Sequence, residues 1–555
     1  MKKSLFALCA CALLFAACKQ DAPTLVGTIT VAEGIETVVP TEGSIINVDF
    51  VSNVKWVAKL DVEADVASLN LTSGEAGEQR VKLTVMPLNE DNAKRSINLS
   101  ILPEGGDPAV ITFTQSGPYV PYISVSQDLY ELGLEGGSVV ITVDANTEYT
   151  YEVSKGVTVV EATTDEENIR TYTCTVEKNS SWQPLTFRAR FTVPAIQDPV
   201  LDDNGEPTDE TKDHVESVSF SQASYAVFEY GVAIPESAFG AKKYSVAVVG
   251  DKLAVANGST VVLFNKADGA FVQDLQVEGV WAITNDDAGN VLVITGDGAY
   301  PSEDNPNPVG LTFSVAPASS FTDTNTWVTI NTYKNNIYGL GMDNPTVRGN
   351  LLEGDAVITL ASSGGATYAV FFQFKDGKLM TDAGEVSELG KHTDYVTCPE
   401  SSGAVWNAKL MAYICVSNKF NEGVLFSGYD GNYSLFYNPS TSRANWTTTG
   451  LAYGTWASAI SYADIVEFDG KTLYIGLQMT LFPQWAMASA IDVIDITDIS
   501  APQHLAEISY SNPDNTETAY NTAVLQCEKD GDNLAIYIVD GNQQSIAKLV
   551  LQPIK

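Results

Sequence analysis

Six times after residue 226, a Gly, Asp or Asn turn is followed at once by an apolar stretch of type Leu-x-Val or Leu-x-Ile. The copies are Gly250-Asp-Lys-Leu-Ala-Val, Gly289-Asn-Val-Leu-Val-Ile, Gly354-Asp-Ala-Val-Ile-Thr, Asn407-Ala-Lys-Leu-Met-Ala, Gly470-Lys-Thr-Leu-Tyr-Ile and Gly531-Asp-Asn-Leu-Ala-Ile. Their starts lie 39, 65, 53, 63 and 61 residues apart, and helical periodicity is nearly absent between them. Each unit has room for about four short strands, and stacked units of this kind are the blades of a propeller. Residues 226–555 are therefore predicted to form a β-propeller of six blades, with seven as the alternative. Asn257-Gly258 and Asp268-Gly269 fit the tight hairpins within a blade, because such turns need positive φ angles. The last unit stops one strand short. Tyr225-Ala-Val-Phe-Glu-Tyr-Gly is expected to supply the missing outer strand and so remove an exposed sheet edge.

Before residue 226 the periodicity is two, and the pattern occurs twice. The first copy has Glu42-Gly43-Ser44, alternating Ile46, Val48 and Phe50, then Asn53 and Trp56. The second has Gly136-Gly137-Ser138, alternating Val139, Ile141 and Val143, then Asn146 and Tyr149. Arg95-Ser-Ile-Asn-Leu corresponds to Arg188-Ala-Arg-Phe-Thr, and Ile111-Thr-Phe-Thr-Gln115 to Val218-Ser-Phe-Ser-Gln222. Alternation of this kind predicts strands with one buried face, and several at short spacing predict a sandwich. The Gly-Ser, Asn-x-x-Trp and terminal Thr-x-Gln-Ser-Gly elements resemble BACON domains, small Ig-like sandwiches of Bacteroidetes surface and periplasmic proteins. The resemblance covers 35–117 and, with Tyr149 in place of the Trp, 118–225. It implies either carbohydrate binding or a spacer role, and Trp56, set in an alternating strand, favours core and spacer. The acidic insert from Gln197 to Lys212 has no register with calcium-loop spacing and reads as a solvated hairpin tip. The expected fold is thus all-β: two tandem Ig-like β-sandwiches followed by a β-propeller. Ile491-Asp-Val-Ile-Asp-Ile-Thr-Asp-Ile-Ser-Ala-Pro resembles the repeat of LVIVD/YVTN-type propellers.

The N-terminus bears on the compartment. Lys2 and Lys3 precede an apolar stretch from Leu5 to Leu14, and Phe15-Ala16-Ala17-Cys18 sets two small residues before a cysteine. This resembles a bacterial lipoprotein signal peptide, with residues 1–17 removed, Cys18 lipidated and 18–34 a linker. The implied location is the outer membrane, at the cell surface or on the periplasmic face, with membrane contact only through the lipid. Of the other mature cysteines, Cys174, Cys398, Cys415 and Cys527, all read as small buried hydrophobes. A Cys398–Cys415 bridge stays open.

Acidic residues number 69 against 31 basic ones, a formal charge of −38. That field repels phosphate backbones and anionic lipid, which excludes a nucleic-acid binder. Only His214, His392 and His504 carry imidazole, and no nucleophile elbow, P-loop or His-Glu-x-x-His occurs. No catalytic residue, metal ligand or cofactor is predicted, and an enzyme is the less favoured reading. Aromatics on loops beside Asp, Asn and Gln suit sugars, whose C–H faces stack on rings. The candidate ligand-binding residues are Tyr300 and the pair Phe482 and Trp485 on two long second-to-third-strand loops. Trp446 and Tyr338 are expected near fourth-to-first-strand connections of the same face. The expected partner is a polysaccharide or oligosaccharide, with further partners in an outer-membrane uptake complex. The alternatives are a glycoside hydrolase or lyase in the propeller cleft, signalled by facing carboxylates with raised pKa, and a protein-interaction scaffold, signalled by a flat apolar face.

Overall fold

A computed structural model describes residues 26–555 except 165, 203–204, 236–237, 239–243, 259, 297–308, 336–339, 363–367, 381–393, 398–412, 428–433, 438–445, 449–457, 481–486, 511–522 and 542–543. The protein is all-β. Among the described residues the only helices are single 3₁₀ turns, and none is long and apolar enough to cross a membrane. Lipidation at Cys18 falls outside the described residues.

The two N-terminal copies share one strand topology. In the first, a four-stranded sheet (Ile29–Val31, Ser44–Ser52, Gly77–Val85, Ala67–Leu69) faces a five-stranded one (Val38–Val39, Ala109–Ser116, Lys94–Pro103, Trp56–Leu60, Ser73–Gly74). In the second, the sheets run Ile123–Val125, Gly137–Ala145, Ile169–Val176, Val157–Thr163 and Leu129–Leu132, Pro207–Gln222, Leu185–Leu201, Thr150–Val153. Each has one parallel pair at the same place, Val38 beside Thr114 and Leu129 beside Ser219. The repeated residues have matching structural duties. Asn53 accepts from the Thr28 amide (2.7 Å) and donates to the Val26 carbonyl, and Asn146 accepts from the Tyr122 amide (2.8 Å) and donates to the Val120 carbonyl. Gln115 donates to the Pro40 carbonyl (2.7 Å), and Gln222 to the Glu177 carbonyl (2.7 Å). Trp56 is buried and meets Phe50 edge-on. The insert is the tip of a long hairpin, turned where the Glu206 amide bonds the Asp202 carboxylate.

The later part comprises six antiparallel sheets of four strands in chain order, the third with one further strand. Their first strands are Ser245–Val249, Val280–Asn285, Leu340–Gly349, Tyr413–Cys415, Ser458–Phe468 and Ala523–Asp530. Each first strand touches that of the next sheet, and the sixth touches the first. The sixth sheet takes its fourth strand from Ala226–Ala233, paired with Ser545–Leu551. The apolar Leu-x-Val stretches become second strands, such as Lys252–Ala256 and Asn533–Asp540, completely buried among neighbouring sheets. Asp469 and Gly470, both at positive φ, form the two-residue hairpin between Phe468 and Lys471. The fourth repeat differs from expectation. Asn407–Ala412 lies outside the described residues, and the second strand of that sheet is Val424–Ser427, entered from Gly423. Gly and Val recur there without the flanking Leu spacing.

Trp281, near the start of the second sheet, lies against Gly296, whose added Cβ would stand 2.6 Å from the ring. Gly296→Ala is expected to destabilise by about 1–3 kcal/mol through this overlap, measured by chemical unfolding. An unchanged midpoint would mean the indole has another place to go.

The chain divides into two compact units: Met1–Ser124 with Asp144–Thr150 and Thr192–Val215, and Val125–Val143 with Tyr151–Phe191 and Glu216–Lys555. Much of the second copy belongs with the later sheets. Trp182 is fully buried, packs its ring at a tilt against Phe468 and donates from Nε1 to the Gln552 carbonyl (2.8 Å). Gln183 bonds the Glu507 backbone in both directions, and the Tyr225 hydroxyl donates to the Lys555 carbonyl. Cys174, Cys415 and Cys527 are free buried thiols, so Cys415 has no bridge; Cys398 lies outside the described residues. Burial pushes the Cys415 thiol up to about 12, which makes it unreactive.

Candidate functional site

In an antiparallel four-stranded meander, first-to-second and third-to-fourth turns share one end, and the other connections share the opposite end. A cavity of about 680 Å³ opens at the first-to-second-turn end. Five of the six sheets supply it, through the ends of first strands and the turns that follow: Val248 to Gly250, Asn285 to Gly289, Val347 and Arg348, Asp464 to Glu467, and Gln526 to Lys529.

Arg348 organises the charge. Its Nη1 lies 3.3 Å from Asp287 and also donates to the Ile465 carbonyl, while its Nε is buried without a partner. Asp287 also accepts from the Gly349 amide (2.6 Å). Burial raises the Asp287 carboxyl, opposed by Arg348 and by that amide. Asp464 accepts from the Ile465 amide (2.8 Å), the Cys527 amide (3.1 Å) and Gln526 Nε2 (3.2 Å). Burial raises it too, Arg348 pulls it down, and the Asp287 charge adds a smaller push upward. Below them, Gln526 Oε1 accepts from Thr284, and Tyr462 donates to the Pro345 carbonyl (2.7 Å). Asp286 ties the second sheet to the third through the Leu351 amide (2.9 Å). Burial, with Asp464 beside it, drives the Cys527 thiol well above its ordinary value, so it is no thiolate nucleophile. Both carboxylates already bond protein donors through both oxygens. The rim adds Glu467, Glu528 and Lys529, with Lys266 bound to Glu528 (2.7 Å). Among the described residues, no aromatic ring lines this cavity.

Four of the five sequence-predicted ligand residues have no described position. Tyr300 falls in 297–308, between the second and third strands of the second sheet, and Phe482 and Trp485 in the corresponding 481–486 of the fifth. Tyr338 falls in 336–339. All four lie outside the described residues. Trp446 opens the strand Trp446–Thr448 and pairs with Tyr437. It therefore stands beside a third-to-fourth connection, not at the fourth-to-first connection where it was expected. The reason is that its β-forming run Trp-Thr-Thr completes the fourth sheet. Sequence reasoning missed Asp287, Arg348, Asp464 and Gln526. A usable signal was Arg348, one of two arginines after residue 226, set directly before a turn glycine.

No curated protein sequence matches the chain. Among solved structures it is similar to a Bacteroides ovatus GH5 xyloglucanase in complex with a XXXG heptasaccharide, at 23% identity over 17% of this chain and 20% of that one, with a TM-score of 0.15. It thus spans a fifth of that enzyme's length. The AfRom2 CNH domain is similar at 10% identity over 58% of this chain and 99% of that chain, TM-score 0.28. Kluyveromyces lactis Hsv2 is similar at 9% identity over 54% and 73%, TM-score 0.26. Residues 226–549 begin in one of the two strands that close the sixth sheet, end in the other, make up more than half of the chain, and match the family described as "Domain of unknown function (DUF8500)", to which this chain belongs.

Proposed function

We propose that the chain is a cell-envelope lipoprotein, anchored through Cys18, whose six later sheets form a six-bladed β-propeller that binds a neutral oligosaccharide without cleaving it. The BACON-like, Ig-like modules at 35–117 and 118–225 act as spacers. Their motif residues support this role, since Asn53, Asn146, Gln115, Gln222 and Trp56 are all engaged inside the modules. The observation that carries the ligand class is the polar cavity of about 680 Å³. It lies within the range of small-ligand sites, roughly 300–1,000 Å³. Its wall mixes acceptors (Asp287, Glu528) with donors (Arg348, Lys529) and amides (Asn285, Gln526), as a ligand rich in hydroxyls requires. Acidic lining residues outnumber basic ones, which disfavours uronate or sulfated glycans.

The test is a glycan array with the mature chain, followed by product analysis on each hit. Binding of neutral glycans, weakened by Gln526→Ala, is the expected result. Absence of binding to any neutral glycan would overturn the reading. The second reading, a glycoside hydrolase, is favoured by one observation: Asp287 and Asp464 face a shared Arg348, and both carboxyls are raised. Turnover abolished by Asp287→Asn would establish it. Intact glycan recovered after long incubation would leave binding alone.

A further inference from the structure

The third and fourth strands of the fifth sheet, Met487–Asp495 and Gln503–Ser509, carry three groups that the cavity does not use. Asp492 and Glu507 are direct cross-strand partners, so their side chains leave the sheet on the same face. His504 is three residues from Glu507, a spacing that in a regular strand points to opposite faces. A register shift lets one extra residue, Leu505, into this pair and sets His504 opposite Ile494. That bulge returns the imidazole to the face of Asp492. One ligand atom from each of Asp492, His504 and Glu507 lies within 4.8 Å of the others.

The carboxylate itself points to a ligand. Asp492 is 1% exposed; one oxygen bonds His504 Nε2 at 2.9 Å, and the second, Oδ2, is buried with no hydrogen-bond partner. A buried acceptor left unmade costs about 1–3 kcal/mol, more when charged. A cation would satisfy it. His504 and Glu507 are solvent-accessible, which leaves an approach path. Both Glu507 backbone groups are held by Gln183, which keeps this outer strand in register.

We propose that Asp492, His504 and Glu507 form a divalent metal site of the zinc class. One imidazole with two carboxylates matches zinc ligation. Calcium takes oxygen donors throughout, so an imidazole ligand argues against it. Three protein ligands leave a coordination position for water or a ligand group. The site stands apart from the residues that line the cavity, and its role is separate from glycan binding there.

The test is calorimetric titration of the mature chain with zinc chloride, with calcium chloride as the comparison. One zinc equivalent is expected at this site, with little or no calcium bound there. Glu507→Gln and His504→Ala replace exposed side chains, so the fold should survive both. Each is expected to weaken zinc binding by at least about tenfold, since even outer partners of metal ligands are worth 10–100-fold. Zinc should also raise the thermal midpoint of the native chain and fail to do so in either variant. Should Asp492→Asn not fold, the two exposed variants still decide. Zinc affinity unchanged in both, no zinc binding by the native chain, or calcium binding as tightly as zinc would each overturn the assignment.

Discussion

Replacing Trp182 with Ala is expected to lower stability by about 3–5 kcal/mol, the range for deleting a fully buried large aromatic. The side chain is 1% exposed, lies tilted against Phe468 with ring centroids 5.8 Å apart and donates to the Gln552 carbonyl. Its loss leaves a cavity and strands that carbonyl at once. Because the residue comes from the second N-terminal copy and its contacts come from the later sheets, a second consequence follows. The native protein should unfold these two parts together in urea, and the variant should show separate transitions. Trp182→Phe keeps the packing and loses only the hydrogen bond, so it should fall between the two. An Ala variant with the native midpoint and a single transition would show that this indole does not join them.

Arg348→Met is expected to cost about 1–3 kcal/mol near neutral pH, as leaving the partners of a half-buried, hydrogen-bonded charge unmatched does. The guanidinium is the cation facing both Asp287 and Asp464, and its side chain is only 15% exposed. The pH dependence has a definite sign. Burial raises both carboxyls in the folded protein above the ordinary value of 3.8, so the folded state holds protons that the unfolded state releases. Stability contributed by these groups is therefore greatest below 3.8 and is lost as pH rises through their folded values. Removing the arginine raises those values further and widens the window. The deficit of the variant should shrink on acidification towards 3.8 and grow towards neutrality. Adding Asp464→Asn should recover part of the loss at neutral pH. A deficit independent of pH would mean the methylene stem of Arg348, and not its charge, supports the turn.

The periodicities reported the strands faithfully because they follow from local chemistry. Alternating Val48 and Phe50 can bury only one face, and Asp469-Gly470 can adopt the paired positive φ angles of a tight hairpin whatever surrounds it. The closing strand was legible for a similar reason: an incomplete sheet leaves an edge, and Ala226–Ala233 was the strand without a partner in its own repeat. In the fourth sheet the second strand is Val424–Ser427, whose sequence lacks the Leu spacing of the other copies; the segment 407–412 lies outside the described residues.

The cavity was not legible because its parts come from positions far apart in the chain. Asp287, Arg348 and Asp464 are unremarkable in sequence; they become a partly buried charge cluster only when five first strands converge. His504 was read as one scattered histidine, and only a one-residue bulge sets it beside Asp492 and Glu507. By itself, then, the sequence determined the β class, the two repeated patterns and the strong negative charge, since hydrophobic period, turn residues and charge act over a few residues or sum over all of them. Tertiary structure alone decided which carboxylates are buried, which share a cation and which part of the second copy joins the later sheets. Those properties depend on distance and desolvation between residues that the chain order keeps apart.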